Sequence, residues 1–220
     1  MALGIKRIDK NTLNERVYDE LRRAIISGRF QPGMTVTLRA LAAQVGTSEM
    51  PVRDAVRRLV VERALVSRAN RTVMVPILDE ATFQEICEIR MQLETLATRK
   101  AVGQLQPSDF TALRTIIQAM AESKTCNKYL ALNQGFHFRI YEAAQRPMLL
   151  SMIESIWMQT GPLMNVVELT TGKTEAETHH AEVVNALERG DADAAAVSIA
   201  ADIDGAAKFI SQWIREQTES

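Results

Sequence analysis

The stretch Leu38 to Leu59, LRALAAQVGTSEMPVRDAVRRL, limits what this chain can fold into more than any other. Leu38, Leu41, Ala42 and Val45 recur at helical spacing. Gly46, Thr47 and Ser48 then supply a turn and a helix-capping side chain. A second pattern follows, Val52, Ala55, Val56, Leu59 and Val60, at i, i+3, i+4, i+7 and i+8. Two short helices joined by a turn with a Gly describe a helix-turn-helix. The outward face of the second helix carries Arg53, Arg57 and Arg58. In that motif the second helix enters the DNA major groove, where Arg pairs bidentately with guanine. An ordinary helical hairpin with a basic surface shares the spacing, so the neighbouring segments decide.

Val17 to Ile26 is an amphipathic helix with Val17, Leu21, Ile25 and Ile26 on one side. Ser27-Gly28 ends it, and Gln31-Pro32-Gly33 makes a turn. Beyond the second helix of the motif, Ala64 to Ser67 and Thr72 to Val75 are β-prone and flank Arg68-Ala69-Asn70-Arg71. Asn70 tolerates the left-handed backbone of a hairpin tip. Helix, turn, helix, turn, helix, hairpin is the order of a winged helix.

With these elements in place, residues 12–76 resemble the DNA-binding domain of GntR-family transcriptional regulators. The resemblance rests on Gly28-Arg29 with Pro32-Gly33, on Leu41-Ala42, Gly46 and Ser48, and on Pro51-Val52-Arg53-Asp54-Ala55 with Arg57-Arg58-Leu59. It implies DNA contacts by Arg39, Ser48, Arg53, Arg57 and the wing residue Arg71. Two departures stand out. A basic residue usually follows the capping Ser, whereas Glu49 stands here, and the usually Gly-rich wing tip reads Ala69-Asn70-Arg71-Thr72. Glu49 is either a first-turn acid favoured by the helix dipole or, facing DNA, an acceptor for a cytosine amino group.

Charge divides the chain the same way. Residues 1–76 hold 14 Lys and Arg against 7 Asp and Glu, and residues 77–220 hold 12 against 20, so a net charge of −1 hides a basic head and an acidic body. The head suits a polyanion, while the body argues against DNA wrapping over the whole surface. The length of 220 residues allows one large or two small domains. Cys87 and Cys126 lack CxxC spacing and fit a helical core in a reducing cytoplasm. No apolar run reaches the roughly 18 residues of a membrane span, and MALGIKRIDK is too weakly apolar for a secretory signal.

The body reads as helix throughout. Asp79 to Val102, Pro107 to Ser123 and Asn127 to Ala144 are amphipathic, and a further helix runs from Pro147 to about Leu169. Thr174 and Glu177 form a capping box before a helix ending at Gly190, and Asp191 caps a last helix to about Ile214. A helical bundle follows. Arg90 with Leu93-Glu94, Phe136-His137, His180 with Ala186, and Gly190-Asp191 with Ala194-Ala195 resemble the FCD effector-binding domain of the FadR subfamily.

Three features of the body carry candidate chemistry. Asn133 and His137 lie i, i+4 on one helix and so share a face. The resemblance to FCD domains adds His180 and places Asp202 where a third His is usual, which implies a divalent metal, Zn²⁺, Ni²⁺ or Mn²⁺. Without a metal, His137 and His180 are core histidines bonded to Asn133 and Asp202, while His179 lies about 100° round the helix from that face. Arg90 falls in the apolar stripe Phe83, Ile86, Leu93, Ala97 and needs an anion, either Glu94 or an effector carboxylate. Phe136, Tyr141, Met152, Ile156, Trp157 and Met164 are core or pocket lining, with Tyr141 and Trp157 the best effector contacts.

The expected fold is mostly α: a winged helix-turn-helix domain with a small β-hairpin wing over residues 1–76, and an all-α bundle over 77–220 for effector binding and dimerisation. The expected protein is a cytoplasmic homodimer rather than an enzyme or a membrane protein. It regulates transcription from a palindromic double-stranded operator in response to a small carboxylate effector. Two alternatives stay open: a metal-dependent enzyme using Asp202 or Glu182 as base, and an architectural DNA-binding dimer without effector.

Overall fold

The computed structural model describes residues 13–166 and 173–218. The head begins with α1, Leu13–Ile26, which buries Val17, Tyr18, Leu21, Ala24, Ile25 and Ile26. Its end is closed by Gly28 at φ 70°. The Gly28 N–H donates to Ile25 O and the Arg29 N–H to Ala24 O, the paired bonds of a Schellman turn. Then come β1 (Thr35–Thr37), α2 (Leu38–Val45), α3 (Glu49–Val61), β2 (Val66–Arg68) and β3 (Thr72–Met74). The sheet order is β1-β3-β2, both pairs antiparallel, with Val36 opposite Val73 and Val73 opposite Ser67.

The sequence pattern predicts the hairpin but misses β1. Three residues ahead of a helix carry too little alternation to register, and Thr37 serves mainly as the cap of α2, accepting from the Ala40 N–H at 3.1 Å. At the wing tip both Asn70 and Arg71 take φ of 56°.

The body consists of α4 (Glu80–Ala101), α5 (Pro107–Ala121), α6 (Cys126–Ala143), α7 (Pro147–Thr160), a 3-10 segment Gly161–Val166, α8 (Lys173–Glu188) and α9 (Ala192–Thr218). Asp79 starts α4 by accepting from the Thr82 N–H at 2.7 Å. Asp191 starts α9 by accepting from the Ala194 N–H at 3.0 Å. The side chains of Thr174 and Glu177 lie outside the described residues. α4 packs along α9 and also meets α6 and α7, while α8 lies between α5 and α9.

The expected helix from Pro147 to about Leu169 is shorter: α7 stops at Thr160 and becomes a 3-10 segment. Pro162 has no N–H to continue the ladder, and its ring collides with the carbonyl four residues back. The break lets the body meet the head. A Cβ on Gly161 would lie 2.6 Å from Ile26 O and 2.8 Å from Ile25 O, so only glycine lets the two backbones approach this closely. Asn165 Nδ2 donates to Gly28 O at 2.5 Å and to Pro162 O at 3.0 Å, and Arg22 pairs with Glu154 of α7 at 2.6 Å. One cluster of buried apolar residues runs from Val17 and Leu21 through Leu130 and Trp157 to Ile203. Among the described residues no helix is long and apolar enough to cross a membrane.

Candidate nucleic-acid interface and candidate metal centre

α3 buries Pro51, Val52, Ala55, Val56 and Leu59 against the head. The opposite face exposes Arg53 and Arg57. Arg58 is exposed as well, but its guanidinium stacks 3.6 Å over the Tyr18 ring of α1. Ser48 stands at the N-cap position but its side chain makes no capping bond, contrary to the sequence expectation, which leaves that hydroxyl available to another acceptor or donor. Arg39 is exposed on the first turn of α2. Glu49 opens α3, and its Oε2 lies 4.0 Å from Arg53 Nη2 and 3.6 Å from Arg71 Nη1 of the wing. The six candidate DNA residues therefore lie on the first turns of α2 and α3, the outward face of α3, and the wing.

In the body, α6, α8 and α9 converge. His137 and Asn133, one turn apart on α6, are buried, and His180 of α8 is 0% exposed. Asp202 of α9 faces both rings: Oδ2 is 3.3 Å from His137 Nε2 and Oδ1 is 3.2 Å from His180 Nε2. One ligand atom from each of His137, His180 and Asp202 lies within 4.8 Å of the others. Burial opposes the Asp202 charge, but the two imidazoles outweigh it and hold the carboxyl far below the usual carboxylate range. His179 points away, toward Glu182 at 3.5 Å.

The donor set suits a metal ion on two grounds. Both ring nitrogens of His180 are buried and make no well-formed hydrogen bond among the described residues, although Asp202 Oδ1 lies 3.2 Å from Nε2. Such orphaned atoms are rare in native proteins. The second ground is the tautomer of His137. The Tyr141 hydroxyl donates to Glu94 Oε2 at 2.5 Å, so its oxygen accepts from His137 Nδ1 at 3.0 Å. A neutral His137 then turns the Nε2 lone pair toward the Asp202 carboxylate, and two acceptors face each other unless a proton or a cation lies between them.

The same chain continues to Arg90. Glu94 is 0% exposed and accepts from three side chains: Tyr141, Trp157 Nε1 at 3.0 Å and Arg90 Nε at 2.7 Å. Burial works against the Arg90 charge, but Glu94 overrides it and keeps the guanidinium protonated. Burial and the neighbouring Glu94 charge also keep the Tyr141 phenol neutral. Among the described residues, no acceptor takes a hydrogen bond from the two terminal nitrogens of Arg90. The buried stripe of α4 is Phe83, Ile86, Cys87, Arg90, Glu94 and Ala97, with Glu94 in the place expected for Leu93, which is half-buried. Met152 is 49% exposed and lines nothing internal, whereas Phe136, Tyr141 and Trp157 are core. Glu94 as a shared acceptor escaped the sequence reading. Its i+4 relation to Arg90 was visible, but its partners Tyr141 and Trp157 come from other helices.

A winged helix on a helical bundle with a buried His-Asp cluster defines a class of regulatory proteins, and comparison with known families agrees. Residues 13–75 match the bacterial regulatory proteins of the gntR family, and residues 85–205 match the FCD domain. The HTH-type transcriptional regulator McbR of Escherichia coli is 28% identical over 179 residues, 80% of this chain and 81% of that protein. A probable D-xylose utilization operon transcriptional repressor of Paenarthrobacter nicotinovorans is 29% identical over 196 residues, 86% of this chain and 85% of that protein. The solved structure of E. coli McbR/YncC superimposes with a TM-score of 0.84 at 26% identity, covering 92% of this chain and 99% of that one. The chain belongs to the GntR family of bacterial transcriptional regulators and, through its FCD domain, to the FadR subfamily. Its relatives are DNA-binding regulators rather than enzymes.

Proposed function

We propose that this regulator changes its affinity for a palindromic operator when its body binds a small organic acid beside a divalent metal ion. The orphaned nitrogens of His180, facing Asp202 and His137, carry this reading. His137, His180 and Asp202, with Asn133 on the same face of α6, hold the ion, which is Zn²⁺, Ni²⁺ or Mn²⁺. When bound, the ion supplies coordination positions for a carboxylate. Arg90 binds the effector carboxylate with its terminal nitrogens, while Glu94 fixes its Nε and orients Trp157 and Tyr141 around the site. Tyr141 fixes the His137 tautomer.

Residues 1–76 form the DNA-reading part and residues 77–220 the sensing and dimerising part. Arg53 and Arg57 divide between base edges and phosphate, and Arg39, Ser48 and Arg71 contact the backbone or minor groove. A second copy of the chain packs on the body, where Ile89 and Leu96 of α4 and Val197 of α9 are exposed. The protein acts in the cytoplasm.

The test is elemental analysis of protein purified without a His-tag, before and after incubation with Zn²⁺, Ni²⁺ and Mn²⁺. Wild type takes up about one equivalent per chain, and His137→Ala and His180→Ala take up far less, since a lost ligand cripples a small site. Equal uptake by wild type and both variants would make these histidines core residues.

A further inference from the structure

Glu49 is an acid among arginines on the outward side of the head, and its surroundings distinguish it from an ordinary first-turn carboxylate. It opens α3, the helix that faces DNA, and is half-buried between two exposed guanidinium groups. Both Arg53 and Arg71 approach the same oxygen, Oε2, at 4.0 and 3.6 Å. Both distances exceed hydrogen-bond reach, and among the described residues the Glu49 carboxylate accepts no hydrogen bond. The brace also reaches across the fold. Arg71 sits at the wing tip with φ of 56°, and its carbonyl accepts from the Leu38 N–H at 3.0 Å. The wing is thus tied to α2 by its backbone and to α3 by its side chain.

Exposed ion pairs of this kind add little stability, so the arrangement is poorly explained as a fold-holding device. A bare carboxylate on a DNA-facing helix would repel phosphate, but here two cations offset it. The carboxylate, held near two cations without a hydrogen bond of its own, can then accept from a donor on the DNA. Of the base edges in the major groove, cytosine offers its amino donor without the purine N7 acceptor that stands beside the adenine amino group.

Resting on the operator-reading role proposed above, we infer that Glu49 reads a cytosine in each half-site while holding Arg53 and Arg71 in register for their own contacts. The residue therefore sets operator sequence, and it selects against thymine and guanine, which present acceptors to the carboxylate.

The experiment is selection of binding sites from a randomised duplex library by full-length wild type, Glu49→Gln and Glu49→Ala, followed by sequencing. Wild type enriches cytosine at one symmetric position per half-site by on the order of tenfold or more over thymine. Glu49→Gln moves that preference to adenine, which a carboxamide pairs bidentately. Glu49→Ala loses preference at that position only. All three proteins selecting the same sequences, with the two variants binding every duplex more tightly, would overturn the inference and leave Glu49 a counter-charge. Failure of wild type to enrich any sequence would instead sink the operator-reading role beneath it.

Discussion

Tyr18 joins two charges of opposite sign within the head. Its ring lies under the Arg58 guanidinium, and its hydroxyl donates to both Glu62 oxygens, at 2.9 and 2.8 Å. Burial, then the bond to Glu62 and its charge, pushes the phenol up to about 12. An unfolded Tyr loses its proton near pH 10, so between about pH 10 and 12 the folded chain keeps a proton that the unfolded chain has released. This contribution to stability is complete below pH 10 and disappears as the pH rises toward 12. Urea unfolding at about pH 9 and about pH 11 should show a smaller decline for Tyr18→Phe than for wild type. Glu94 is the body's counterpart. Glu94→Ala strips the acceptor from Arg90, Tyr141 and Trp157 and leaves a buried guanidinium unpaired, a loss of about 3–5 kcal/mol in urea unfolding. Breaking the exposed pair Arg114–Glu188 should cost less than about 1 kcal/mol, which separates burial from mere proximity.

Among the elements, α7 does the most to relate the two halves. Trp157 reaches inward to Glu94, and Glu154, one turn earlier, reaches outward to Arg22 of α1. The 3-10 segment that follows puts Gly161 against the last carbonyls of α1, with Asn165 bonded to Gly28 O. A methyl group at Gly161 meets the backbone of Ile25 and Ile26 at 2.6, 2.8 and 2.9 Å, and backbone cannot rotate away as a side chain can. Gly161→Ala should therefore destabilise the protein by about 1–3 kcal/mol. It should also speed hydrogen exchange at the C-terminal turn of α1 ahead of the rest of the head. Unchanged exchange at Ile25 and Ile26 would mean that α1 does not depend on this contact.

For the whole molecule, the sequence discloses what repeats and hides what meets. Leu38 to Val60 declares two helices because burial on one face imposes a period, and the charge split declares a basic and an acidic half. β1 goes unseen because three residues cannot show a period, and the early end of α7 was signalled only by Pro162. Asn133 and His137 share a turn and are visible as a pair, whereas the approach of His180 and Asp202 was expected only through the family resemblance. The gathering of Arg90, Tyr141 and Trp157 on one carboxylate needs three helices to fold together, and no local pattern encodes it.

The seating of α1 on α7 bears on how such regulators can be recombined. The connection between β3 and α4, around residues 75–79, is the obvious place to graft a foreign winged helix onto this body. A chimaera joined there would exchange half of a fitted surface. The incoming reader would have to bring its own arginine opposite Glu154, a left-handed glycine beneath Asn165, and a helix end that leaves room only for Gly161. Grafts that keep those three features should unfold with the body in one transition; those that lack them should unfold separately from it.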